Sequence, residues 1–114
     1  MSAITTHVLD ISIGRPAAGV LVRLDRQTPD GEWESIGSQE TDSDGRARDL
    51  IPDGEPLLVA LYRLTFEVGP YFRNRRIDGF YQEVTIAFIV KDASQHYHVP
   101  LLLSPFGYST YRGS

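Results

Sequence analysis

His7, His96 and His98 are the three histidines of this 114-residue chain, and with no cysteine beside them they are its main candidates for proton transfer near neutrality. His96 and His98 lie two apart in His96-Tyr97-His98-Val99, a strand-like run that sends both imidazoles to one face and Tyr97 to the other. An irregular strand start at Ser94-Gln95 would break that sharing. His7 sits mid-run in Thr5-Thr6-His7-Val8-Leu9-Asp10. Each histidine alone reads as an exposed or hydrogen-bonded strand residue; as a group they offer a general acid and a general base. Arg46 follows the Asp44-Gly45 turn directly and projects from a strand start beside a loop, as an exposed turn residue or as a fixed cationic fork for a carbonyl oxygen or developing oxyanion. The last residues, Tyr108-Ser109-Thr110-Tyr111-Arg112-Gly113-Ser114, bring more polar and aromatic groups than a frayed terminus needs.

Other chemistries fit less well. Ser114 has no Gly-x-Ser-x-Gly elbow around it, so a serine triad is not indicated, although its hydroxyl and terminal carboxylate can position a water or a substrate. His-x-His plus a remote His is also a hydrolytic zinc pattern, but no nearby carboxylate offers itself as the outer partner; no metal and no cofactor are expected. Tyr111 and Arg112 alternate, so one of the two is expected at any given pocket. Asp10, Asp42 and Asp44 suit turns and caps, while Trp33 and the remaining tyrosines suit a core or a sheet face.

The elements that must hold these groups are strands. Turn signals recur at Gly14-Arg15-Pro16, Pro29-Asp30-Gly31, Asp42-Ser43-Asp44-Gly45, Pro52-Asp53-Gly54, Asp92-Ala93-Ser94 and Pro105-Phe106-Gly107. Between them the apolar residues alternate: Val20, Val22, Leu24; Tyr62, Leu64, Phe66, Val68; Val84, Ile86, Phe88, Val90. Strands are expected at 4–11, 18–25, 32–37, 46–48, 56–68 (with room for a bend), 82–91, 96–104 and 107–113, in an all-β sandwich or barrel. Pro70 near the start and Gly79 just past the end place one short helix over 69–77.

The length suits a single domain, 1–114, with one core and no staples. A net charge of −4 argues against a nucleic-acid partner; the run Arg73-Asn74-Arg75-Arg76 reads as a solvated face. No run approaches the ~20 apolar residues of a membrane span. The absence of a signal-like N-terminus and of cysteine points to the cytoplasm.

Nearly end to end, the chain resembles the transthyretin-like 5-hydroxyisourate hydrolases. The resemblance rests on His7-Val8-Leu9-Asp10, Gly14-Arg15-Pro16-Ala17 with Gly19-Val20, Thr41-Asp42-Ser43-Asp44-Gly45-Arg46, Tyr71-Phe72, His96-Tyr97-His98-Val99-Pro100-Leu101-Leu102-Leu103-Ser104-Pro105 and the tail from Gly107. The terminal Tyr111-Arg112-Gly113-Ser114 is its most specific mark, absent from the hormone-carrying transthyretins of the same fold. Where relatives carry Phe-Phe-Pro-Glu, this chain has Phe80-Tyr81-Gln82-Glu83.

The resemblance implies a transthyretin-like two-sheet β-sandwich with one short helix, assembled as a homotetramer with sites between dimers. It implies hydrolysis of 5-hydroxyisourate to 2-oxo-4-hydroxy-4-carboxy-5-ureidoimidazoline, after urate oxidation. It carries the catalytic roles onto His7, Arg46, His98 and Ser114, and substrate binding onto His7, Arg46 and Tyr111; His96 matches too but ranks below His98. Two alternatives remain: a transthyretin-type carrier of a small ligand without catalysis, which would want a more apolar channel, and a purely structural module. Which histidine is base and which is acid stays open.

Overall fold

The structure is a computed structural model and describes residues 2–114. Its strands are β1 (Ile4–Asp10), β2 (Arg15–Pro16), β3 (Leu21–Gln27), β4 (Trp33–Glu40), β5 (Arg46–Ala47), β6 (Ala60–Phe66), β7 (Val84–Val90), β8 (Tyr97–His98), β9 (Leu101–Ser104) and β10 (Gly107–Thr110), with helix α1 (Val68–Asn74) between β6 and β7. They form two sheets. One has the order β4-β3-β6-β7, antiparallel throughout. The other runs β10-β9-β1-β2, with β5 and β8 also paired to β1.

The period-two runs behave as half-buried strands must. Val22, Leu24, Tyr62, Leu64 and Phe66 are fully buried and face Ile4, Val8, Leu101 and Leu103 in one apolar cluster. Several boundaries differ from the alternation. The expected strand over 56–68 begins at Ala60, and the expected strand over 18–25 runs from Leu21 to Gln27. The expected strand over 96–104 splits into β8 and β9, because Pro100 has no N–H for the ladder. The register is kept across that gap: Thr5 faces His98 and Val8 faces Leu101. The two-residue strand β2 has no counterpart in the alternation; it pairs Arg15 and Pro16 with Asp10 and Leu9.

The first strand, β1, and the late strands β8 and β9 are therefore parallel neighbours. Beneath α1, the Tyr71 hydroxyl donates to Asp10 Oδ2 at 2.7 Å, while Ser12 N–H donates to Asp10 Oδ1 at 3.0 Å. Burial, and after it the Asp10 carboxylate, pushes Tyr71 up to about 12, so it remains a donor at neutral pH. This joins the end of β1 to the helix and satisfies a carboxylate that is 1 % exposed. Arg73, Arg75 and Arg76 lie on the exposed side. Gln82 accepts from Gly69 N–H at 2.9 Å through its carbonyl and from Arg73 at 3.0 Å through its side chain, tying the approach to β7 onto α1.

Candidate active site

β1 has two faces of opposite character. Ile4, Thr6 and Val8 point into the core, and the Thr6 hydroxyl donates to the Val99 carbonyl at 2.5 Å. Thr5 and His7 point the other way. The neighbours complete that outer face by register: His7 lies opposite Arg46, and Thr5 lies opposite His98. Four groups from three separate segments of the chain thus share one sheet face.

The turn before β5 is built to deliver Arg46. Asp42 Oδ1 accepts from Asp44 N–H at 2.9 Å and from Arg46 N–H at 3.0 Å, the side chain mimicking a turn of backbone. Gly45 adopts φ +76°, and a Cβ there would stand 2.4 Å from the Val8 carbonyl oxygen. Only glycine lets the turn lie this close to β1, where the Gly45 carbonyl accepts from Val8 N–H at 2.7 Å. Among the described residues no carboxylate pairs with the Arg46 guanidinium, whereas Arg48 approaches Asp42 at 3.9 Å.

The same turn fixes His7. Its Nε2 lies 2.8 Å from the Asp44 carbonyl oxygen. A carbonyl only accepts, so Nε2 carries a hydrogen and Nδ1 is the basic nitrogen of the neutral ring. Burial first, and then Arg46, lowers the His7 pKa from its ordinary 6.5. His98 is lowered as well, by burial, then Arg46, then His96 and His7. Both rings are consequently neutral at pH 7, the state a general base requires.

His96 lies just outside β8, yet its ring stays on the side of His98, with centroids 6.3 Å apart and planes at 21°. The irregular start of the strand has not separated them, because both turn to one hydroxyl: Thr5 Oγ1 is 2.8 Å from His98 Nδ1 and 3.0 Å from His96 Nε2. His7 Nε2, His96 Nε2 and His98 Nδ1 each engage a protein oxygen. No group of three metal-ligating side chains is arranged to hold an ion among the described residues, so the donor set does not fit zinc.

Thr5, Thr6, Arg46, Arg48, His96, His98 and Ser114 line one open pocket of about 140 Å³. Four of the residues singled out from sequence, Arg46, His96, His98 and Ser114, meet there, and His7 adjoins it through Arg46. The last residues are held against it: Gly113 N–H donates to the His98 carbonyl at 2.8 Å, and a Cβ on Gly113 would lie 2.6 Å from His98 Cδ2. Tyr111 is not brought into this pocket. It is 57 % exposed and lines a separate groove of about 250 Å³ with Ile86, Phe88, Ile89, Tyr97 and Arg112. Tyr111 and Arg112 share that groove, contrary to the expected alternation, because β10 ends at Thr110 and the Arg112 guanidinium folds back to 4.6 Å from the Tyr97 ring.

Three pocket residues, Thr5, Thr6 and Arg48, escaped the sequence reading. Arg48 was readable, as Arg46-x-Arg48 puts two cations on one strand face. Thr5 carried no signal; a threonine in a strand is ordinary, and only the register brings it to His98.

A β-sandwich that gathers neutral imidazoles and an arginine on one outer sheet face defines a small-molecule hydrolase or binding protein. A profile of the HIUase/Transthyretin family matches residues 4–113, and the chain belongs to that family. It is similar to 5-hydroxyisourate hydrolase of Caulobacter vibrioides, 49 % identical over the whole of both chains, and to that of Salmonella typhi, 41 % identical over 97 % of this chain and 80 % of the relative. Among solved structures, Klebsiella pneumoniae 5-hydroxyisourate hydrolase superposes with a TM-score of 0.83 at 36 % identity, covering 97 % of this chain and 92 % of the other. Sparus aurata transthyretin superposes with a TM-score of 0.90 at 30 % identity, covering 99 % and 97 %. Backbone shape alone does not separate the hydrolase from the transthyretin here, so the side chains must.

Proposed function

We propose that this protein hydrolyses 5-hydroxyisourate to 2-oxo-4-hydroxy-4-carboxy-5-ureidoimidazoline. The observation that carries the reading is the register pair of Arg46 and His7 beside His98, an unpaired guanidinium facing neutral imidazoles on one polar sheet face. A carrier of an apolar ligand has no use for such a wall. In the mechanism, a neutral imidazole takes a proton from water as the water attacks the ring carbonyl. Arg46 binds the carbonyl oxygen and stabilises the charge that develops on it. The proton then passes to the ring nitrogen as the C–N bond breaks. His7 has a free basic nitrogen in Nδ1, and His98 has one in Nε2 when its Nδ1 donates to Thr5 Oγ1. Ser114 positions the water or the substrate.

The site is half of a larger one. Its pocket of about 140 Å³ is smaller than the ~300–1,000 Å³ typical of ligand sites. β10 and β7 are sheet edges, and the apolar groove beside Tyr111 lies exposed. We therefore assign a homotetramer of this single domain, in which a neighbouring subunit covers the groove and Tyr111 reaches the substrate at the subunit boundary. No described helix is long and apolar enough to cross a membrane, and the cytoplasm is the proposed location.

The deciding assay generates 5-hydroxyisourate from urate in solution and follows its ultraviolet decay. The protein is expected to accelerate decay above the spontaneous rate, with an acid limb below pH 6.5, because both imidazoles have lowered pKa values and lose their basic form only there. A decay rate unchanged by the protein would end the enzyme reading.

A further inference from the structure

Thr5 is 3 % exposed and lies between two imidazoles, a position the proposed mechanism does not use. Its hydroxyl has one hydrogen and can donate to only one of the two nitrogens it touches. The other nitrogen must then carry a hydrogen and donate to Oγ1. The contacts fall on His98 Nδ1 and His96 Nε2, the two different positions of the ring. If His98 holds its proton on Nδ1, the hydroxyl points at His96 Nε2, and His96 holds its own proton on Nδ1. If the hydroxyl points at His98 Nδ1, both rings hold their protons on Nε2. The neutral rings must therefore share one tautomer.

We propose that Thr5 is a positioning residue that couples the tautomers of His96 and His98, making the exposed His96 the place where positive charge rests while His98 works. This rests on the hydrolase reading above. With both rings protonated on Nδ1, His98 Nε2 is a free base beside Arg46. When Nε2 takes a proton from the attacking water, the Nδ1 proton of His98 moves to Thr5 Oγ1, and the Thr5 hydroxyl proton moves to His96 Nε2. The charge has left a half-buried ring beside a cation for an exposed one. His98 is now neutral with its proton on Nε2, ready for the leaving nitrogen. As the C–N bond breaks, that proton goes to the nitrogen and the two transfers through Thr5 reverse. Water supplies the hydroxyl on carbon and the hydrogen on nitrogen, and both rings return to their starting tautomer. The charged and titratable groups around the pair are Arg46, Arg48, His7 and Ser114, with Arg112 reaching the His96 carbonyl at 3.5 Å.

The test uses the full chain labelled with 15N in histidine. Above the titration of both rings, long-range 1H–15N spectra should show His96 and His98 of the wild type in the same tautomer. Thr5→Val, which keeps the shape and removes the hydroxyl, should uncouple them and lower kcat about 10–100-fold with KM little changed. Thr5→Ser should restore both the shared tautomer and the rate. His96→Ala should lower kcat by a similar factor, and adding it to Thr5→Val should lower it no further. Opposite tautomers in the wild type, or full kcat in Thr5→Val, would overturn the coupling. The spectra need no substrate, so they decide the coupling in the wild type even if Thr5→Val fails to fold, and a failure of the hydrolase reading shows separately as no catalysis by the wild type.

Discussion

Two hollows lie on either side of one short stretch of chain, and they have opposite chemistry. His98 faces a small polar pocket with Thr5, Arg46 and Ser114, while Tyr97 and Val99, its sequence neighbours, face a larger groove walled by Ile86, Phe88, Ile89 and Tyr111. Strand alternation makes this division possible, since adjacent residues must serve opposite faces. The polar pocket holds groups with free donors and neutral bases; the groove holds apolar surface that no described residue of this chain covers. Such a pairing teaches that the polar pocket and the proposed assembly surface are separated by a single residue of register. A one-residue slip of the last strands would place Tyr97 or Val99 where His98 belongs.

The contrast is tested most severely on its polar side. His98→Ala is expected to lower kcat for 5-hydroxyisourate by about 10²–10⁴-fold, the range for a general acid–base group, with assembly unchanged. If that variant hydrolyses at the wild-type rate, the pocket is not the site, whatever the protein's activity. The prediction is sharper for a residue that touches no substrate. Gly113→Ala puts a methyl 2.6 Å from His98 Cδ2, so the ring or the tail must move. Activity should fall about 10–100-fold, as a displacement near 1 Å does to a catalytic group. The melting temperature should hardly change, because the tail is partly exposed and lies outside the apolar cluster. A large loss of stability with activity per folded molecule intact would show that the glycine serves the fold instead.

How far the molecule was legible differs between these same regions. The alternation of Tyr62, Leu64 and Phe66 announced a half-buried strand, and all three are buried. That signal is local and depends only on the pleat. The polar pocket has no such local signature: His7, Arg46 and His98 stand 39 and 52 residues apart along the chain and meet only through two strand registers. Their common site was suggested by resemblance to a family, and pattern alone left each an ordinary strand or turn residue. Thr5 shows the limit, since its type is unremarkable and its role depends on which atoms of two rings it meets. Tyr111 shows the reverse: it was assigned to substrate by resemblance, yet within one subunit it lies in the groove.

That placement of Tyr111 makes the groove the decisive test of assembly. Ile89 is 60 % exposed on β7, an edge strand that pairs with β6 alone among the described strands. Ile89→Asp removes no core packing, so the stability of the single chain should change by about 0.5 kcal/mol or less. In a tetramer that buries the groove, however, the new carboxylate is desolvated without a partner, and association should weaken. Light scattering should then report smaller species at dilutions where the wild type stays assembled. Activity per subunit should fall by a few-fold and recover with rising protein concentration, because mass action would restore the proposed boundary at which Tyr111 would meet the substrate. Unchanged assembly would place the contact elsewhere. Lost assembly with full activity would mean that the polar pocket is complete in one subunit, and Tyr111 would then have no part in binding.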